Sequence, residues 1–67
     1  MPKVRDAIKL IEADGWRLVT TTGSHRQYKH RTKKGRVTVS GHRRDDVSAA
    51  LWASIMRQAG ISRKANQ

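Results

Sequence analysis

Apolar residues recur at Val4, Ala7, Ile8 and Ile11, the three-and-four spacing that lays one stripe along a helix. Pro2 suits a first helical position and Gly15 a left-handed C-terminal stop, so the pattern predicts a helix over residues 2–14. The period then changes. Residues 16–21 are rich in aromatic and β-branched types and run into Gly23, which predicts a strand leading into a hairpin turn. A second strand follows over residues 26–30 with Tyr28 as its one large apolar contact, then a polar turn, Thr32-Lys33-Lys34-Gly35, and a third strand through Val37 and Val39. Asp45, Asp46 and Ser48 offer N-caps to a second helix over residues 47–59, which Gly60 stops while Ile61 folds back over the last turn.

The predicted architecture is α+β in the order α-β-β-β-α, a three-stranded antiparallel sheet with both helices on one face. Period two sorts the strand faces: if Tyr28, Val37 and Val39 point at the helices, then His25, Gln27 and Lys29 point away from them. On the second helix, Val47, Leu51, Trp52, Ile55, Met56 and Ala59 fill an arc of about 180°, wider than the roughly 100° that one core face requires. Trp52 and Met56 are the surplus. Either Trp52 closes the edge of a small core, or the pair meets a protein partner, since Trp and Met are favoured in such patches.

The chain has 67 residues and no cysteine. One domain over residues 1–61 and a short polar tail over 62–67 are expected, and a chain of this size buries only about 60% of the surface its unfolded form would expose. A cofactor domain does not fit in that length, and without thiols there is neither a disulfide framework nor thiolate metal ligation. No apolar run is long enough to cross a bilayer and no secretory leader pattern stands at the N-terminus, so a cytoplasmic location is expected.

Charge changes the picture most. Of the fifteen Lys and Arg residues, nine lie in residues 16–44 together with all three histidines, and no carboxylate is among them. An unopposed block of cations calls for a polyanionic partner, nucleic acid or an acidic protein. A membrane surface is the weaker candidate, because basic membrane helices carry their cations on a helix and these lie in β-type sequence.

Within that block, Gly23-Ser24-His25 puts an imidazole beside a turn. RNA is cut without a metal when a base takes the 2′-hydroxyl proton, cations stabilise the charge on phosphorus and an acid protonates the departing 5′-oxygen. With an ordinary pKa of about 6.5, histidine suits either proton role. Arg26, Lys29 and the turn lysines Lys33 and Lys34 are expected within reach of His25, with Ser24 and the turn amides as further phosphate contacts. Arg36, Arg43 and Arg44 extend the same cationic surface. The plain alternative for His25 is a hairpin histidine that bonds a backbone group or sits in water, and Lys33 and Lys34 then form a solvated turn. His30, of opposite parity, reads as a packed or hydrogen-bonded strand residue. His42 is either a loop residue or a second proton carrier. No metal site is expected, since His25 and His30 fall on opposite faces of one strand, and Asp45 and Asp46 are expected to favour the positive end of the second helix.

An ordered set of segments then resembles a known family. Ile8-Lys9-Leu10-Ile11 precedes Asp14-Gly15-Trp16; Gly23-Ser24-His25-Arg26-Gln27-Tyr28-Lys29-His30 follows; then come Lys34-Gly35-Arg36-Val37-Thr38-Val39, Ile55 and Gln58-Ala59-Gly60-Ile61. Over residues 3–61 the chain resembles the HicA family, small bacterial toxins of toxin-antitoxin pairs that act as mRNA interferases. The resemblance implies a fold like the double-stranded RNA-binding domain, metal-independent cleavage of mRNA, no small-molecule cofactor, and inhibition by a cognate HicB-like antitoxin. It implies that His25, in the Gly-Ser-His motif, is catalytic, and it gives Trp52 and Met56 an antitoxin to contact. Ser40 and Val47-Ser48-Ala49-Ala50 stand where family members commonly have proline and a Leu-Pro-Lys-Gly-like segment, and Trp52 replaces a smaller aliphatic residue. The rival readings are a non-catalytic RNA-binding module and a subunit whose basic face meets an acidic protein.

Overall fold

The computed structural model describes residues 2–61, with α1 at Val4–Ala13, β1 at Arg17–Thr22, β2 at His25–Lys29, β3 at Val37–Val39 and α2 at Ala49–Ala59. This is the predicted α-β-β-β-α order, and the strands form one antiparallel sheet ordered β1-β2-β3.

α1 starts later than its apolar stripe suggests. Lys3 is the N-cap, extended at φ −105° and ψ 162°, and its N–H donates to Asp6 Oδ2 at 2.8 Å. Pro2 therefore lies before the helix and not in its first turn. Its carbonyl accepts from the Val47 N–H at 2.8 Å, and Lys3 forms a β-bridge with Asp46, so this stretch pairs with the segment before α2. The C-terminus closes as a Schellman turn: Trp16 N–H reaches Ile11 O at 3.0 Å and Gly15 N–H reaches Glu12 O at 3.0 Å. Gly15 has φ +109°, and a Cβ there would stand 2.7 Å from His30 Nε2, so both the backbone and the close approach require glycine.

β1 and β2 meet in a two-residue loop. Thr22 pairs with His25, Gly23 has φ +59° and no non-glycine residue among those described has positive φ, as in a type II′ hairpin with glycine first. Farther along, a bulge falls between Leu18 and Thr20, so that Leu18 faces Tyr28 and Arg17 faces Lys29. One extra residue reverses the facing of everything before it. Trp16 is thereby turned inward, where it is 1% exposed and donates from Nε1 to Ala59 O at 3.2 Å.

The core joins Val4, Ala7, Ile8 and Ile11 of α1 and Trp16 to Tyr28, Val37 and Val39 of the sheet, Val47, and Ile55, Met56 and Ala59 of α2. Both helices thus cover one sheet face. The inward stripe of α2 is Trp52, Ile55, Met56 and Ala59, with Leu51 exposed, which corrects the predicted arc. The reason is the helix start. Val47 is buried but precedes the helix, whose N-cap is Ser48, its Oγ accepting from Leu51 N–H at 3.1 Å, so Val47 does not set the phase. Gly60, at φ +68°, ends α2 in a second Schellman turn, with Ile61 N–H on Met56 O at 2.9 Å and the Ile61 side chain against the core.

Candidate functional site

β2 runs from His25 to Lys29, and this direction gives the molecule two ends. At the His25 end stand the Gly23-Ser24 loop, the N-termini of both helices and the segment 40–46 that leaves β3. Val39 pairs with Arg26, so Ser40 emerges beside His25. The segment is tied to α1 by Arg5 N–H on Arg43 O at 3.0 Å and Val4 N–H on Asp45 O at 2.8 Å. Asp45 Oδ2 accepts from His42 N–H at 3.0 Å, and Asp46 pairs with Lys3 Nζ at 2.6 Å. The Lys3 hydrogen bond holds the Asp46 carboxyl below its ordinary range. Neither aspartate serves the N-terminus of α2 as predicted; the local turn and Lys3 take them first.

His25 is exposed and heads the sheet face opposite the helices, paired with Thr22. Its ring has no hydrogen-bond partner among the described residues. Arg26 has the opposite parity. It faces the helix side, and its Nη1 donates to Gly41 O at 2.8 Å, fastening the start of the 40–46 segment to the residue next to His25. The expected phosphate ligand is thus a tie between hairpin and loop. His42, Arg43 and Arg44 are all exposed at this end, and Ser24 is half-buried in the turn.

The other end corrects a second expectation. The 32–35 turn follows Lys29, so Lys33 and Lys34 lie past the far end of β2, four or more strand residues and about 13 Å from His25 along the strand. Lys33 Nζ donates to Asp14 Oδ2 at 2.6 Å, Ala59 O at 3.1 Å and Gly60 O at 3.4 Å. It joins the C-termini of both helices, and its hydrogen bond to Asp14 holds that carboxyl below its ordinary range against the opposing pull of desolvation. His30 is built into the same corner. Its Nδ1 accepts from the N–H groups of Thr32 at 3.1 Å and Lys33 at 3.2 Å, which leaves the proton on Nε2, 2.7 Å from Asp14 O. The ring also meets Trp16 edge-on at 5.2 Å between centroids. His30 is a structural histidine, as its parity indicated, and Lys34 remains exposed.

Between the two ends lies the uncovered sheet face. Paired positions place Arg17 with Lys29, Thr20 and Thr38 with Gln27, and Thr22 with His25 on it. Arg36 joins them through Nη1 on Gln27 Oε1 at 2.6 Å. All five carboxylates of the chain stand elsewhere, on α1, its C-terminal turn or the 45–46 segment. Arg17 was absent from the predicted site; straight counting back from the hairpin would turn it inward, and the bulge puts it beside Lys29.

Residues 4–61 match the family model described as the HicA toxin of bacterial toxin-antitoxin pairs. The chain belongs to the HicA toxin family. No curated protein matches the sequence. For a HicA toxin, membership implies a toxin role and an antitoxin partner. Of the two residues expected to meet that partner, Met56 is 3% exposed and is a core residue, which removes it from any contact surface. Trp52 is half-buried at the core edge, and the exposed apolar neighbour on that helix is Leu51. No helix among the described residues is long and apolar enough to cross a membrane.

Proposed function

We propose that this HicA toxin is a metal-independent endoribonuclease that cleaves mRNA and is neutralised by a HicB-like antitoxin. The observation that carries this reading is His25 itself: an exposed imidazole at the head of a sheet face rich in cations and free of carboxylates. In the proposed step, the 2′-oxygen attacks the adjacent phosphorus as its proton passes to a base. The bond from phosphorus to the 5′-oxygen breaks, and that oxygen receives a proton from an acid. The products are a 2′,3′-cyclic phosphate and a 5′-hydroxyl. His25 takes one of the two proton roles and His42, at the same end of the sheet, is the candidate for the other. Lys29, Arg36, Arg43 and Arg44 supply positive charge to the phosphate, with Ser24 and the turn amides beside His25. Arg26 and Lys33 contribute by holding the frame, and Lys34 meets RNA outside the reacting centre.

An RNA and the same strand carrying one 2′-deoxy sugar at the scissile position test the chemistry. Cleavage of the first alone, with a cyclic phosphate on the 5′ fragment, is expected; equal cutting of both rules out attack by the 2′-hydroxyl. The rival RNA-binding module draws on the same cationic face and predicts salt-sensitive binding with neither strand cut.

A further inference from the structure

We propose that the uncovered face of the sheet is the substrate channel, and that it takes single-stranded RNA by its sugar-phosphate backbone, laid along β2 toward His25. The inference rests on the ribonuclease reading for the direction of the strand, and on charge and shape for the surface itself.

Three cations define the track. Arg17 and Lys29 stand side by side at the end away from His25, and Arg36 is braced over the middle by Gln27. The remaining outward positions at Thr20, Thr22 and Thr38 are hydroxyls. Such a surface suits phosphates and ribose hydroxyls, and among the described residues it holds no Trp, Tyr or Phe on which a base would stack, so it grips backbone and not sequence. A protein partner is the poorer fit. Interfaces between proteins are centred on apolar and aromatic residues, whereas of the exposed apolar side chains Leu10 and Leu51 belong to the helices, Leu18 faces the helix side from β1, and Val19 stands singly at the bulge of that edge strand.

Size and chemistry favour a single strand over a duplex. Three strands give a face about 10 Å wide, and the distance from Lys29 to His25 is about 13 Å. Modules that read duplex RNA span about 16 base pairs and two minor grooves. In-line attack also needs the 2′-oxygen, phosphorus and 5′-oxygen aligned, which the A-form duplex prevents and a free strand allows.

The test uses the full chain carrying His25→Ala, so that the RNA stays intact, and a labelled twelve-nucleotide single strand whose binding is followed by anisotropy across a salt series. Adding Arg17→Gln, Lys29→Gln and Arg36→Gln is expected to weaken binding at low salt more than tenfold. The slope of log affinity against log salt is expected to fall by about 2, at about 0.7 per lost contact. A matched set on the helices, Arg5→Gln, Lys9→Gln and Arg57→Gln, removes the same charge and is expected to leave the slope nearly unchanged. Equal slopes for the two sets, or tighter binding of a duplex of the same length, overturn the proposal. So does a face variant that keeps RNA affinity and loses its antitoxin instead. Binding is read without cleavage, so a native chain that binds through this face and cuts nothing sinks the ribonuclease reading alone.

Discussion

Lys33 illustrates how much a single side chain does in so small a fold. Its ammonium bonds the Asp14 carboxylate and two carbonyls at the end of α2, so one residue from the β2–β3 turn closes the corner where both helices finish. Both partners of the ion pair are about one-third exposed, which limits its worth to the lower part of the range for such pairs. Lys33→Met is expected to cost about 1 kcal/mol at neutral pH, measured by thermal or urea unfolding. The pH dependence has a definite sign. The Asp14 carboxyl titrates lower in the folded chain than in the unfolded one, so its share of stability is present above about pH 4 and is lost as pH falls through the folded value. The gap in Tm between native chain and Lys33→Met therefore narrows on acidification to about pH 2; a gap that widens contradicts this account. Gly15 is the second such residue. With φ +109° and the His30 ring against it, Gly15→Ala is expected to cost more than about 1 kcal/mol, a loss seen as a lower urea midpoint with an unchanged slope. The pairing of Gly15 with His30 was invisible in the sequence, because the two residues meet only once α1 and β2 have docked.

At the level of elements, the hydrophobic pattern located the helices and strands, while the α2 stripe was misplaced and the facing of β1 could not be read, each because of a single irregular residue. Counting α2 from Val47 put the stripe one notch off. The real start is set by the Ser48 cap, a choice among three cap-forming residues that depends on Lys3 and His42 claiming the two aspartates. Ser48→Ala is expected to cost about 1 kcal/mol, a fall in Tm of roughly 4–8 °C for a domain of this size, whereas Asp46→Ala, at an exposed pair, changes Tm by little. In β1 the bulge at Val19 decides which residues of the strand face the helices, and no local residue preference announces it. Its consequence reaches function: without the bulge, Trp16 would point to solvent and Arg17 into the core. Arg26 needs no irregularity to explain its facing, since it shares the parity of Tyr28. The sequence ranks it with the phosphate-binding cations, and its partner across the sheet, Val39, shows that it faces the helix side.

Across the whole molecule, the two ends of β2 differ. One end is closed by Trp16, His30, Lys33 and Asp14 and holds the fold together; the other exposes His25 and His42 beside Arg43 and Arg44. The chain's net charge of +10 is what an antitoxin with an acidic face would neutralise, and neutralisation by such a partner is expected to weaken with added salt. The histidine and the basic block were legible from residue order alone. Which cations flank the histidine was not, because that depends on where the strands reverse and on one inserted residue. The central claim is that His25 performs proton transfer in RNA cleavage. It is tested most directly by incubating RNA with purified native chain and with His25→Ala, after confirming that both melt at the same temperature and bind the RNA with similar affinity. The expected result is cleavage by the native chain and a loss of at least about a hundredfold in the variant; a variant that cuts at the native rate contradicts the account.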